Sequence, residues 1–492
     1  MVSRTKNPVP FAAWEPDKAK ISGAVREAKG VISSAGRYVP LLDLTAYHAN
    51  ARMPDTCIGA GSFYSASNAI KIMLASASSI YHLVNRVPVD ISKSGGYTAS
   101  RDWVWDFEQF GDYVVAVGRG VAPQVYQLGV SSLFGDLPGS PPQADCVFRV
   151  KNQLVLGSGR TLSWSAFNDI TTWTPDTALQ SGTTDLDQNG GRIVAGVGGE
   201  LGMVFQERSI SRMTYVGPPT TWVIDQIEDR RGAMGPHAVT KYGRHAFYVS
   251  EDGFWVFDGV VSRPIGANRI DKWFLDRLNY PYRHRISTAF DSQTKTIRVA
   301  FPSSGSTLPN ELLIYSIPDD RWTHDEITTQ VLFDMPREGV SIDDTAGITA
   351  LFGTANIDEL AVSLDSPSWS EQRRRAAAVA ADGTISVFEG AARAARIDIG
   401  DAEVMPGRMG YVSEVWPVLD ATPASVTVTP LSRSKTLSDT QTVHTGSVMQ
   451  SDGHCPVRVD ARYLSARVEI AAGTSWTEAS GMHWDGEPSG QR

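Results

Sequence analysis

Short apolar runs recur along the chain in pairs, each pair split by a turn signal. Ile70 to Leu74 is followed by Ile80 to Leu83, and Tyr113 to Val117 by Val125 to Leu128. Val147 to Val150 and Leu154 to Leu156 precede Leu162 to Trp164, and Met203 to Phe205 precedes Ile210 to Tyr215. Ala246 to Val249 turns at Glu251, Asp252 and Gly253 into Phe254 to Phe257. Ile297 to Phe301 then precedes Leu312 to Tyr315, and Thr349 to Phe352 precedes Leu360 to Val362. Val, Ile, Tyr, Phe and Trp dominate these runs and helical periodicity is scarce, so the pairs predict β-hairpins. The leading strands recur every ~40–50 residues, the length of a four-stranded propeller blade. Two stacked sandwiches would also give short strands with frequent turns. Even spacing over roughly 300 residues favours an all-β fold built on a β-propeller of six or seven blades. The units share little sequence, and no Gly-His…Trp-Asp repeat signature is present.

The texture changes past residue 365. Ser368 and Glu371 have capping-box spacing, and Arg373 to Ala381 is rich in good helix formers, which predicts a short helix or linker. Arg373, Arg374 and Arg375 read there as a solvated turn. Strand patterning then returns at Ile385 to Phe388, Ala395 to Ile399, Tyr411 to Leu419, Ser425 to Thr429 and Val457 to Ile470. Val457, Val459, Ala461 and Tyr463 alternate with Arg458, Asp460 and Arg462, the period of a strand with one wet face. The expected organisation is an N-terminal arm with the first strands over 1–60 and a propeller over 61–365. A linker or short helix follows over 366–395, then a C-terminal β-sandwich-like domain over 396–492.

Composition narrows the class. The 492 residues are 42% hydrophobic and 20% charged, which excludes a disordered chain, and Gly 44 with Pro 27 is turn-rich without being low complexity. The net charge of −9 argues against a protein that grips phosphates in a basic groove. Three cysteines, Cys57, Cys146 and Cys455, give no disulfide framework and suit folding in reducing cytosol. The stretch Met1 to Lys20 lacks the continuous apolar segment of a signal peptide. Ala69 to Val84 contains Lys71 and several serines and falls short of a membrane span, so no membrane insertion is expected.

Candidate chemistry is thin. Asp185, Asp187, Asn189 and Gly190 open like a calcium loop, but the twelfth position, where a bidentate Glu belongs, is Gly196. A polar inter-strand turn accounts for them better. Ser250 to Trp255 approaches the turn signature of sialidase-type propellers with the wrong Asp–Gly spacing; Asp-Gly in a hairpin turn already explains it. Asp225, Glu228 and Asp229 are followed at once by Arg230 and Arg231, which predicts a salt-linked turn. The nine histidines include no helical i, i+4 metal pair, and His454 beside Cys455 sits in a turn. No G-x-S-x-G elbow or phosphate loop is present; Gly196, Gly198 and Gly199 are not followed by a helix. The thirteen tryptophans, Trp103, Trp105, Trp164 and Trp173 among them, read first as core. No catalytic residue, cofactor site or metal site is expected.

Several segments together resemble the tail nozzle, or hub, proteins of short-tailed bacteriophages, the tail tubular protein B-like family. Gly36-Arg37-Tyr38-Val39-Pro40 is similar to an early G-Y-x-P element, with Arg37 as an extra residue. Trp164, Asn168, Asp169 and Trp173 fall in a W-S-x-x-N-D-x-T-x-W element. Glu207 falls in the apolar–Gln-Glu–Ile–Arg-Met strand pair of residues 205–213. Arg231 and Gly232 resemble an R-G…P element with Pro236, and Asp252, Gly253 and Phe254 an F-Y-x-S-x-D-G-F element. The resemblance covers about residues 30 to 300, with an echo in Arg462-Tyr463; the Arg/Ala-rich stretch 373–396 departs from it. It implies a structural, non-enzymatic virion protein. Such proteins assemble as a homo-oligomeric ring, typically a hexamer, below the portal and a tail adaptor protein. A tail fibre or needle protein attaches nearby, and genomic DNA passes without specific binding. Its place would be the virion tail, after folding in the host cytoplasm. The −9 charge fits that passage, since carboxylates repel phosphates. Two rival classes are a glycan-binding or glycan-degrading propeller, which predicts two or three carboxylates and a Trp on one face, and a cellular scaffold propeller.

Overall fold

The protein was analysed as a computed structural model that describes residues 5–19, 24–66, 69–336, 374–434, 436 and 439–489. Seven four-stranded antiparallel blades close into a propeller. Their innermost strands are, in order, Gly59–Tyr64, Asp106–Phe110, Cys146–Val150, Ile193–Val197, Val239–Tyr242, Ser287–Asp291 and Thr329–Pro336. Each innermost strand neighbours the next, and the seventh neighbours the first, so the ring is complete.

Period-two patterning builds the layers between blades. In the second strand of blade 2, Tyr113–Val117, Val114 and Ala116 pack against blade 1, whereas Val115 and Val117 pack against blade 3. Blade 4 repeats the device: Val204 faces blade 3, and Met203 and Phe205 face blade 5. An apolar cluster fills every junction, including that between blades 7 and 1, where Val331, Phe333 and Val379 meet Ile72 and Leu74.

Blade 7 is made from both ends of the chain. Its outermost strand is Leu42–Ala46, which pairs antiparallel with Ile385–Ala392 through Val387↔Thr45 and Phe388↔Leu44. The segment expected as a linker or short helix supplies the middle strands of this blade. Arg374–Ala380 is a strand despite its helix-forming composition. Ala376 and Ala378 face blade 6, and Ala377 and Val379 face blade 1, so burial on both faces overrides propensity. Arg374 and Arg375 open that strand rather than a turn, and Arg375 pairs with Glu389. The pair at 349–362, Ser368, Glu371 and Arg373 lie outside the described residues.

The C-terminal strands form a β-sandwich with the N-terminal arm inside it. One sheet orders Val31–Ser34, Arg37–Pro40, Ala479–Pro488, Gly410–Leu419 and Cys455–Ala461, and Thr5–Pro10 pairs with Ala479–Pro488. The facing sheet contains Glu27–Lys29, Ala395–Asp398, Tyr463–Ile470 and Val426–Arg433. Residues 5–40 therefore complete the sandwich instead of leading into the propeller. The predicted alternation holds: Val457, Val459 and Ala461 are buried while Arg458 and Asp460 are exposed. Strand Glu27–Lys29 runs parallel to Arg321–Glu326, the outer strand of blade 6, through Lys29↔His324. One sheet is thereby continuous from propeller to sandwich.

Candidate functional site

The family-like residues sit at turns and blade junctions. Gly36 occupies the hairpin between Val31–Ser34 and Arg37–Pro40, where its N–H donates to Asp319 (3.2 Å). Tyr38 is fully buried and donates its hydroxyl to the carbonyl of Ala12 (2.8 Å), while Pro40 is half-buried at the strand end. Trp164, Asn168, Asp169 and Trp173 shape one loop between the third and fourth strands of blade 3. Trp164 Nε1 donates to Gln180 O (3.0 Å) and Trp173 Nε1 to Ile170 O (2.8 Å). The Asp169 carboxylate accepts from the Thr171 N–H and the hydroxyls of Thr171 and Thr172, each at 2.7 Å. The Glu207 N–H donates to Arg192 O (2.9 Å).

Arg231 joins blades 4 and 5. It pairs with Glu228 (3.1 Å) and Asp252 (3.0 Å), and its guanidinium stacks 3.6 Å over Trp255. Of the expected salt-linked turn at 225–231, the Glu228–Arg231 pair is present, whereas Asp225 lies in the strand Thr221–Glu228 and pairs with Arg212 (3.4 Å). Gly232 is required by close approach: a Cβ there would lie 1.9 Å from Gln206 O. Gly253 has φ +125 and presses against the Asp271 carboxyl, which accepts the N–H of the fully buried Phe254 (3.1 Å). The structure thus brings Arg231, Asp252, Gly253 and Phe254 together and leaves Gly36, Tyr38 and the blade 3 loop apart. Asp185 to Gly190 join blades 3 and 4, with Asp187 accepting the N–H of Asn189 (2.9 Å).

The chemically distinctive place is the propeller axis, which motif reading did not find. A cavity of about 270 Å³ lies there, and Asp106, Glu108, Asp334, His237, Thr288 and Arg374 are among its lining residues. Asp106 and Glu108 stand two apart on the innermost strand of blade 2, so they share one face. Carboxylates here also tie blades together. Asp106 accepts the N–H of Val147 on blade 3 (2.9 Å), and Asp334 accepts that of Phe290 on blade 6 (2.7 Å). Gln109 does the same work through amide contacts with Tyr64 on blade 1 (3.1 and 2.6 Å).

Burial raises the acids of this cavity. Burial pushes Asp106 up to about 6 against the N–H bonds of Val147 and Phe107 that favour its charge. Burial, then the neighbouring Asp106, push Glu108 up to about 8; Arg149, Lys241 and Arg374 pull the other way. Burial raises Asp334 to about 6, opposed by Arg374, whose guanidinium is 3.9 Å away. At neutral pH Glu108 is therefore mostly protonated. His237 borders this cavity and a smaller one beyond it; burial drives it down to about 4, and Nε2 faces Trp105 O at 3.1 Å. Past His237 the lining turns basic, with Arg101, Arg285 and His284. The axis is thus acidic at one end and basic at the other, with a neutral imidazole between. Among the described residues no group of three or more His, Cys, Asp and Glu side chains is arranged to hold a metal ion.

No protein-family model matches the chain. No curated protein matches its sequence. Several solved structures match the chain at very low identity. The N-terminal domain of Nup159 is 11% identical over 73% of this chain and 97% of its own, with a TM-score of 0.38. BamB from Moraxella catarrhalis is 10% identical over 78% and 97%, with a TM-score of 0.36. YCF48, solved bound to D1 peptide, is 10% identical over 58% and 86%, with a TM-score of 0.35. By its own sheet order and ring of innermost strands, the chain is a seven-bladed β-propeller joined to a β-sandwich.

Proposed function

We propose that this protein is a structural component of a short phage tail, a subunit of the ring-shaped nozzle or hub that extends the DNA-ejection channel. The observation that carries the reading is the ordered set of family-like elements between residues 36 and 254. Most of their side chains serve turns and blade junctions, and Tyr38 is buried in the sandwich, which are structural places. The continuous sheet between blade 6 and the sandwich also suits a load-bearing part, since the two halves share backbone hydrogen bonds.

The axis bears on how such a subunit would work. Phe63, Phe107, Phe333 and His237 crowd a cavity of about 270 Å³, far too small for a nucleic-acid strand to thread. A conduit would therefore be built between copies of the chain, by a heterologous contact that closes through rotation. The partners of this reading are further copies in a ring, typically six, a tail adaptor protein, and a fibre or needle protein. DNA would pass without specific binding. Purified protein imaged by electron microscopy with adaptor-bearing particles should form closed rings on them. Strict monomers that never join those particles would sink the reading.

One observation favours a second reading. Asp106, Glu108 and Asp334 form the carboxylate group that a glycan-active propeller needs, although the aromatic lining is Phe63, Phe107 and Phe333 and not Trp. Turnover of a surface glycan by pure protein, lost in Glu108→Gln, would favour that reading over the first.

A further inference from the structure

We propose that the basic end of the propeller axis is a binding site for a small phosphate-class oxyanion, gripped by Arg101 and Arg285. The two side chains come from different parts of the chain. Arg101 lies in the connection from blade 1 to blade 2, and Arg285 ends the Tyr280–Arg285 turn that precedes blade 6. They converge on one cavity of about 180 Å³, which Thr56, Ser76, Ser78 and Asp55 also line. They meet again in the smaller adjoining cavity, beside His284.

The charge arrangement suits an anion: Arg101 is exposed, and Arg285 is half-buried with its guanidinium 5.9 Å from the Tyr282 ring. Neither guanidinium makes an ion pair with a described residue, although nearby Arg119 and Arg192 both reach Asp145, at 2.9 and 2.8 Å. The one lining carboxylate, Asp55, accepts the hydroxyl of Tyr81 (3.3 Å). Two like charges facing one cavity repel, and the repulsion grows as water is excluded. A dianion between them would reverse its sign. Planar guanidinium forks match the oxygens of phosphate in pairs, which a halide cannot exploit.

The wall beside the arginines is held by local hydrogen bonds. Ser76 Oγ is fixed by its own turn, accepting from the N–H groups of Ser78 (3.3 Å) and Ser79 (3.0 Å). That turn sets the wall carrying Ser78. Nε2 of His284 is buried without a hydrogen-bond partner at the adjoining cavity, an acceptor that a water bound beside the oxyanion could satisfy. Room for one tetrahedral ion and a few waters points to a free ion or a short phosphomonoester.

The site is independent of any ring, so its failure and that of the virion reading are separate results. Isothermal titration would use inorganic phosphate in one arm and glycerol 1-phosphate in the other, at constant ionic strength in chloride buffer. Saturable one-to-one binding of phosphate is expected, weakened at least about tenfold in Arg101→Gln and in Arg285→Gln. Arg458→Gln, an exposed change in the sandwich, should leave it intact. Binding in both arms would support a site open to phosphomonoesters; binding of phosphate alone would support a free-ion site. No saturable binding by the parent protein, or equal binding by all three variants, would overturn the proposal. Circular dichroism of each variant separates lost binding from lost folding.

Discussion

Glu108→Gln should raise the stability of this protein, and the gain should appear as pH rises. Burial lifts the Glu108 acid from an ordinary 4.5 to about 8. The folded state then binds its proton more tightly than the unfolded state does. Its stabilising contribution is fully present below about pH 4.5 and is lost as pH climbs through about 8. Asp106 and Asp334 lose theirs lower down, by about pH 6. The interval from pH 6 to 8 therefore isolates Glu108 within the cavity. At about 1.4 kcal/mol for each tenfold change in proton binding, the ceiling over that interval is about 3 kcal/mol. Glu108 is only half-buried, so screening by solvent reduces the expected loss to about 1 kcal/mol. Equilibrium urea unfolding of parent and Glu108→Gln at both ends of the interval measures it. Asp271, lifted by burial to about 7, titrates in the same range in both proteins and cancels in the difference. A parent and variant whose stabilities change by the same amount between the two pH values would refute the argument.

Other perturbations test the fold. Gly232→Ala should cost about 2 kcal/mol or more in urea unfolding, because its Cβ would lie 1.9 Å from Gln206 O. Tyr47→Pro deletes the N–H that donates to Ile385 O (2.8 Å) beside the closing strand; a loss of about 3 kcal/mol and faster proteolysis near residue 46 are expected. Arg231→Ala should lower stability by about 1–2 kcal/mol in the same assay, since it strands Asp252 and uncovers Trp255. The three thiols, all buried, should resist a disulfide reagent in the native protein and react together on unfolding; burial pushes Cys57 and Cys455 up to about 12.

Much of the fold could be read from the sequence because each blade is a local object. Hairpins such as Ala246–Phe257 pair residues a few positions apart, and alternation tells each side chain which neighbour it faces. The strand Arg374–Ala380 was not legible, since alanines score as helix until two flanking blades demand small side chains on both faces. Closure by Leu42–Ala46 was not legible either, because its partner lies more than 300 residues away. At the axis, part of the signal was present. Asp106-Phe107-Glu108 alternates polar and apolar residues just before the hairpin at Tyr113, which places two acids on one strand face. Their convergence with Asp334 and His237 depends on ring closure, which no local pattern encodes.

Net charge and local charge part company for the same reason. The −9 of the whole chain averages an acidic cavity whose Glu108 is mostly protonated near neutrality and a basic end where two guanidiniums form no ion pair with a described carboxylate. Only the basic end departs from the sign of the total, because Asp106 and Asp334, at about 6, stay mostly ionised. Passage of DNA past acidic side chains, if a ring forms, would depend on carboxylates at the surface between subunits. There water keeps them ionised, and their repulsion reaches only about a Debye length, roughly 8–10 Å at physiological salt. The acids of the axis are too enclosed to contribute, and the arginines at its far end would attract the phosphates that a lumen must release. The axis and the lumen of such a ring must therefore be different places, with opposite demands on charge.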